Sequence, residues 1–500
     1  MAELNGNACP PGEYPVVVVG SGPGGLQTAY SLRMHGIEAA VLSGDEAAGG
    51  MFRRFPLFQR LITWTKIHAP ADRGTRPYEW YDWNSLIGQD PSLRALVPEY
   101  MDGSSYFPAR SEMERGLTEF ASRSAIPVRY GCRWESTRMD GETFVVGTPD
   151  GEYRSRALVI AVGMTEPWKP NNIPGIELVP HYVETRPLKE YAGKRILVVG
   201  KRNSGFEVAD ALLPWARQIV LASPRPARIS VLVHSTAAAR ARYLQPYEDH
   251  VLGGGNIVLD ASIERIDRMP GGGYRTQLKG TTRPGDLVLE TDEVIAATGF
   301  GTPLGDLGEL GVKTFYQGRL PAQTAFWESA SLPGVYFAGS ITQGSIGLKK
   351  YGIPSNSAAV HGFRYNAVVL ARHIAETRFG VTIPRRAIPP DEIVPFLLAE
   401  ATRGPELWNQ QSYLARVLSL SNGGAVDEGI LPLANFVDSA GPDGVAITVE
   451  TDAEGDIHPA VYIRRGGHVE EHTLASSALL DFTSAEHTAQ LTSLQKSFMG

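Results

Sequence analysis

V-V-V-V-G-S-G-P-G-G, residues 16–25, is the stretch whose reading decides the fold. Four β-branched residues in a row suit a strand buried on both faces of a parallel sheet. Gly20, Gly22 and Gly25 then give G-x-G-x-x-G, with Gly24 between them, and residues 26–34 have the apolar spacing of an amphipathic helix. The chemistry needs this order. The first glycine makes a tight turn, the second lets backbone approach a pyrophosphate, and the third lets helix pack on strand. The helix N-terminus adds free N–H groups and a partial positive charge for the phosphates. Following a strand and opening a helix is the context that separates a dinucleotide site from an ordinary glycine turn.

Working outward, residues 38–42 read as a second strand. Nucleotide-binding units usually carry an acid at its end for a ribose hydroxyl. Here Ser43 stands there, with Asp45 and Glu46 just beyond; a hydroxyl pairs with ribose more weakly than a carboxylate does. Gly49 and Gly50 offer another close backbone approach. Residues 52–110 are irregular and aromatic-rich, with L-I-T-W-T-K at 61–66 and Y-E-W-Y-D-W-N-S at 78–85. They are a candidate cofactor-facing wall, although Trp64, Trp80 and Trp83 fit an ordinary core equally well. Residues 112–124 read as a helix, 127–150 as short strands, 156–163 as a buried strand ending in glycine, and 167–174 as a proline-rich crossover.

A second strand–glycine–helix unit, R-I-L-V-V-G-K-R-N-S-G, occupies residues 195–205, with Gly200 and Gly205 in the places of Gly20 and Gly25. Arg202 stands where the second glycine would be, narrowing the phosphate approach but supplying a guanidinium. The strand at 218–222 ends without an acid and leads into Ser223, Arg225 and Arg228. An acid there selects the free 2′-OH of NADH, whereas a hydroxyl and arginines accommodate the 2′-phosphate of NADPH. Residues 251–293 are expected to return the chain to the first unit. E-V-I-A-A-T-G at 293–299 and G-V-Y-F-A-G at 334–339 are expected to rejoin its sheet, placing Thr298, Gly299, Gly339 and Ser340 at the cofactor. G-S-I-G-L-K-K-Y-G follows at 344–352, and a long helix is predicted over 356–377. Beyond residue 382 the reading is a helical stretch at 407–419 and strands at 444–450 and 459–465.

The expected fold class is α/β, with two Rossmann-like dinucleotide-binding domains, the NADPH domain inserted in the FAD domain, and a small C-terminal α+β accessory region. The expected boundaries are 1–175 and 291–380 for the FAD domain, 176–290 for the NADPH domain and 381–500 for the accessory region. The chain has 500 residues, a net charge of −7 and two cysteines, Cys9 and Cys132, with no C-x-x-C. That composition fits a reducing compartment and two packing cysteines. Residues 1–15 lack the pattern of a leader and no apolar run reaches the length of a membrane span, so the expected location is cytoplasmic. The expected partners are a small-molecule substrate and dioxygen, with a homodimer as the assembly and with no metal, nucleic acid or membrane.

These motifs resemble the two-dinucleotide-binding-domain flavoproteins that include flavin-containing monooxygenases. The resemblance covers roughly residues 15–380 and rests on G-S-G-P-G-G at 20–25, G-K-R-N-S-G at 200–205, A-T-G at 297–299 and F-A-G at 337–339. More specific are L-I-T-W-T-K at 61–66, D-W-N-S-L at 82–86 and H-G-F-R-Y at 361–365. The monooxygenase fingerprint is blurred into Ile173, Gly175 and His181. The resemblance implies FAD on the first unit and NADPH on the second. It also implies insertion of one oxygen atom into nitrogen, sulfur or carbon through a peroxyflavin, with Asn203 and Ser204 facing the nicotinamide. Lys66 and Asn84 are its candidates for hydrogen-bonding the flavin–oxygen adduct. A lysine in an apolar insert is costly unless paired, although an exposed one can pack its stem on a tryptophan. The alternatives are an NADPH-flavin oxidase or reductase without oxygen insertion, and a flavin-stabilised protein-binding module.

Overall fold

The computed structural model describes residues 8–233, 238–245, 255–345, 347, 355–421 and 423–499. Most of the glycine-rich run 344–352 lies outside them, as do residues 251–254. The chain forms two compact units. The first takes in Met1–Arg53, Thr63–Gly163 and Pro303–Gly500, and the second Arg54–Ile62 and Met164–Thr302.

In the first unit Gly12–Val19 lies parallel to Ala39–Leu42 on one side and to Gly151–Ile160 on the other. Val16, Val17 and Val18 are wholly buried, as a strand covered on both faces requires. Gly151–Ile160 has two kinds of further neighbour. Its first half pairs antiparallel with Thr143–Thr148, which pairs with Ser136–Asp140. Its second half pairs in parallel with Val335–Phe337, Val335 opposite Leu158. The helix Pro23–Met34 starts with proline in its first turn, where the missing N–H costs nothing. It packs against the long helix Val360–Phe379.

The second unit repeats the plan. Arg195–Val199 lies parallel to Gln218–Ser223 and to Glu293–Ala296. Asn256–Arg268 changes partner along its length. Residues 256–260 run parallel to Gln218–Ser223, and residues 261–268 pair antiparallel with Tyr274–Gly280, followed by Asp286–Thr291. This corrects the sequence reading, because neither residues 251–293 nor E-V-I-A-A-T-G return to the first sheet. Val294, Ile295 and Ala296 are fully buried, and such a short apolar strand fits any parallel sheet, so its sequence carries no address.

The C-terminal region of the first unit is a six-stranded antiparallel sheet. Its order is Arg386–Ile388, Gly424–Pro432, Leu414–Ser421, Gly444–Thr451, Ile457–Arg465, His468–Thr473. The helices Pro390–Arg403, Pro405–Asn409 and Ala485–Met499 contribute to the core on one face, and Leu433–Asp438 to that on the other. The helical reading of 407–419 fails here. The helix stops at Asn409, and Leu414–Ser421 is a strand apolar on both faces, a pattern that periodicity does not separate from a helix. Arg76, from the aromatic insert, donates to both carboxylate oxygens of Glu400 at 2.8 and 2.9 Å and to Glu406 at 2.7 and 3.2 Å. Trp80 packs on Trp408 with ring centroids 4.5 Å apart. The accessory sheet is thus fastened to the insert.

Candidate functional site

Three backbone turns of the first unit converge at the start of Pro23–Met34. Gly20 has φ of +113° and sits against the end of Gly151–Ile160; a Cβ on it would lie 2.5 Å from the Ala161 carbonyl oxygen. A Cβ on Gly25 would lie 1.9 Å from the Gly20 carbonyl oxygen, and one on Gly24 2.4 Å from the Gly339 Cα. Gly22 behaves differently. It is half-exposed and its Cβ would meet nothing nearer than the Gly50 Cα at 3.8 Å. Gly20, Gly24 and Gly25 are therefore glycine for internal packing, and Gly22 for something that approaches from outside. The helix has no side-chain cap and no acid in its first turn, so its N-terminal N–H groups and dipole are free to act on an anion. This geometry fits the pyrophosphate of FAD.

Ser43 is buried behind this turn. Its hydroxyl is 2.8 Å from that of Ser21 and accepts from the Asp45 N–H at 3.2 Å. It braces the turn. Gly50, with φ of +54°, and half-buried Ser340, after Gly339 with φ of +82°, stand on the other two turns. Gln323 was not anticipated from the sequence. It is 3% exposed, both ends of its amide lack a partner among the described residues, and its Nε2 is 3.3 Å from a Cβ built on Gly344.

The second unit reproduces the glycine geometry. A Cβ on Gly200, φ +126°, would lie 2.4 Å from the Ala297 carbonyl oxygen, and one on Gly205 2.2 Å from that of Gly200. Arg202 caps the helix Asn203–Leu212 by its backbone and its side chain is exposed. Asn203 and Ser204 follow, half-buried; the side-chain Oδ1 of Asn203 accepts from the Arg240 N–H at 3.2 Å. Arg225 and Arg228 are exposed beside Ser223, whose hydroxyl donates to the Arg225 carbonyl at 3.4 Å. Lys201 is the residue sequence reasoning missed here. Its ammonium, 1% exposed, pairs with Asp260 and donates to the Leu259 carbonyl at 2.6 Å. Asp260 stands opposite Ser223 on the neighbouring strand, and the Lys201 ammonium holds its carboxyl below the usual range. A lysine directly after a buried strand is costly without a partner, and that signal was available.

Thr298 and Gly299 belong to the second unit. The Thr298 hydroxyl donates to the Trp168 carbonyl at 2.5 Å, and the Gly299 carbonyl accepts from the Trp168 N–H at 3.1 Å and lies 2.9 Å from His181 Nε2. His181 is therefore a packed residue, 1% exposed. Gly175 makes a turn against the Ile266 carbonyl.

Lys66 and Asn84 have different surroundings. Lys66 is exposed, so it carries no desolvation cost that a functional partner would offset. Asn84 is fully buried: its carbonyl oxygen accepts from Thr63 at 2.5 Å and its amide donates to Thr65 at 2.9 Å. Asp82 collects the N–H groups of Asn84 and Ser85 and the Thr65 hydroxyl. The more specific motifs are thus a buried lock. Arg364, 1% exposed, donates to the carbonyls of Ser85 and Glu79 at 2.7 and 2.9 Å. Tyr365 donates to the Glu79 carboxyl at 3.0 Å, and burial pushes that carboxyl up to about 7. Trp83 lies between Trp64 and His361, with centroids 4.8 and 4.2 Å away.

The chain belongs to the pyridine nucleotide-disulphide oxidoreductase family, whose model matches residues 17–339. By that membership it is an oxidoreductase of a class that uses FAD and NAD(P)H. It is similar to FAD-dependent oxidoreductase domain-containing protein 2 of Mus musculus, 26% identical over 450 residues, covering 82% of this chain and 65% of that protein. It thus spans just under two thirds of the length of that curated relative. It is also similar to ferredoxin–NADP reductase of Thermus thermophilus, 29% identical over 264 residues, covering 50% of this chain and 73% of that protein. A flavin-containing monooxygenase from Stenotrophomonas maltophilia shares the fold, with a TM-score of 0.53 and 21% identity, covering 72% of this chain and 98% of that one. Among the described residues no helix is long and apolar enough to cross a membrane, and no cluster of His, Cys, Asp or Glu has the arrangement to hold a metal ion.

Proposed function

We propose that the protein is an NADPH-dependent flavin monooxygenase that inserts one oxygen atom into a small-molecule substrate. The observation that carries this reading is the combination of two glycine cradles with cysteines unsuited to dithiol chemistry. Cys9 and Cys132 are both buried and unbonded to each other, and burial pushes both thiols up, which makes them inert packing residues. Dioxygen is then the simplest remaining acceptor.

FAD supplies the two-electron and oxygen chemistry that side chains lack. The chain's own residues do the binding. The N–H groups after Gly22 and the helix dipole favour the anionic pyrophosphate, and the Gly24–Gly339 approach keeps the turns close enough to hold it. In the second unit Arg202 and the start of Asn203–Leu212 suit a second pyrophosphate. Ser223, Arg225 and Arg228 suit a 2′-phosphate, which Lys201 favours by neutralising Asp260, the acid nearest to them in register.

A reductase or oxidase without oxygen insertion is the second reading. It is favoured by the exposure of Lys66, by the pairing of buried Asn84 with Thr63 and by the similarity to a ferredoxin–NADP reductase. Turnover with NADPH under labelled dioxygen, against amines, thioethers and ketones, tests the choice. One labelled oxygen in a product, with NADPH use coupled to it, is the expected result. Full recovery of reducing equivalents as hydrogen peroxide or reduced acceptor, with no labelled product, would overturn it.

A further inference from the structure

The 3₁₀ turn Gly339–Gly344 sits among buried polar side chains that are bonded to one another. The Thr342 hydroxyl donates to the Gly339 carbonyl at 2.7 Å. The Asn366 amide donates to Ser357 at 2.9 Å and to Thr342 at 3.3 Å. The Gln410 amide donates to Ser357 and to Asn366 Oδ1, at 2.8 Å each, and its Oε1 accepts from the Asn356 N–H at 3.0 Å. The Trp327 ring N–H donates to the Ser345 hydroxyl at 2.8 Å. These groups obey the rule that buried polar atoms find partners.

Gln323 departs from it. The residue is 3% exposed, yet neither Nε2 nor Oε1 has a partner among the described residues. Its backbone is held in place. Gln323 bridges to Ser329, and the N–H of Thr324 donates to the Glu328 carbonyl at 2.7 Å. A buried amide without partners is costly, which points to a group that the chain itself does not supply. A primary amide offers a donor and an acceptor side by side. Its complement is an acceptor next to a donor, as in the carbonyl and N–H of a cyclic imide.

Position narrows the ligand further. Gly339 is the end of the turn that meets the pyrophosphate cradle, since a Cβ on Gly24 would lie 2.4 Å from the Gly339 Cα. Gln323 stands at the other end. A Cβ on Gly344 would lie 3.3 Å from its Nε2 and 2.7 Å from Phe315 Cζ. A 3₁₀ turn rises about 2 Å per residue, so Gly344 lies about 10 Å along from Gly339. In FAD the group carried beyond the pyrophosphate is the flavin ring, and one end of that ring is a cyclic imide. We infer that Gln323 binds the imide edge of the flavin, its Oε1 accepting from the flavin N3–H and its Nε2 donating to an adjacent flavin carbonyl. The inference rests on FAD occupying the first unit.

Titration calorimetry of the full chain, freed of flavin, with FAD, N3-methyl-FAD and ADP tests this. The native chain should bind FAD about tenfold or more tighter than N3-methyl-FAD, as loss of a hydrogen bond to a buried amide implies. Gln323→Leu should weaken FAD by a similar factor, no longer distinguish FAD from N3-methyl-FAD, and bind ADP as the native chain does. The flavin-free variant should also melt above the flavin-free native chain, because leucine removes the unpaired amide. A glutamine that only supports the fold gives the opposite sign. A native chain that binds FAD and N3-methyl-FAD alike, as a water bound at Gln323 would allow, overturns the inference. So does a Gln323→Leu chain that still binds FAD at native strength, weakens ADP equally or melts lower. A native chain that binds no FAD overturns the FAD assignment itself, whereas one that binds FAD without these differences overturns this inference alone.

Discussion

Glu79→Gln removes a carboxyl that burial pushes up to about 7, against the opposing pull of the Arg364 guanidinium. In the unfolded chain the same group ionises near 4.5. Between those values the native form keeps a proton that the unfolded form has released. Stability therefore falls as pH rises through this window and levels off above about 7. A separation of about 2.5 pH units at 1.36 kcal/mol each corresponds to about 3 kcal/mol in full, most of which is lost between pH 5 and pH 8. Glutamine keeps an acceptor for the Tyr365 hydroxyl but does not titrate. Urea unfolding followed by tryptophan fluorescence reports on this region, because Trp80 and Trp83 closely follow Glu79 in sequence. The native chain should lose roughly 2–3 kcal/mol more than the variant between pH 5 and pH 8. Parallel pH profiles for the two proteins would refute the buried, protonated carboxyl.

Gly24→Ala places a methyl group 2.4 Å from the Gly339 Cα and should yield protein with little bound flavin, read from the visible absorbance per chain. Gly22→Val has room within the protein, so it should fold with a near-normal melting curve and still purify colourless. Arg225→Ala should raise the KM for NADPH about tenfold, as loss of a charged hydrogen bond implies, while leaving NADH almost untouched; steady-state kinetics with both nucleotides checks it. Lys66→Met should alter neither flavin content nor turnover, whereas Asn84→Ala removes the buried acceptor of the Thr63 hydroxyl and should cost about 1–3 kcal/mol in denaturant titration.

What the sequence disclosed was what backbone geometry alone imposes. A glycine pressed against a carbonyl, as Gly20 is on Ala161 and Gly200 on Ala297, tolerates no other residue, so G-x-G-x-x-G and its second, altered form were both legible. Exposure is a property of the finished structure, and local sequence does not reveal it. Lys66 projects outward and Asn84 inward, yet both lie in the same aromatic insert. Lys201 went unnoticed because its partner Asp260 comes from a strand assigned to the wrong unit. Gln323 belongs to no motif; only the packing that isolates its amide distinguishes it. The short strand Glu293–Ala296 was recognised as a strand and misplaced, because four apolar-rich residues do not specify which parallel sheet receives them.

The pairing of Val335–Phe337 with Gly151–Ile160 has a consequence for the order in which the protein assembles. Its two strands are separated in sequence by the whole of Met164–Thr302. Contacts of such high sequence separation form late, since the intervening chain must be closed before they bring any gain. The inserted unit is nearly continuous and can complete its own sheet as soon as Glu293–Ala296 has left the ribosome. The first sheet must wait for residues made afterwards, so the strand Gly151–Ile160 keeps an unpaired edge through that interval. Newly made chains are thus most open to misassembly after the inserted unit has folded and before residue 337 has emerged.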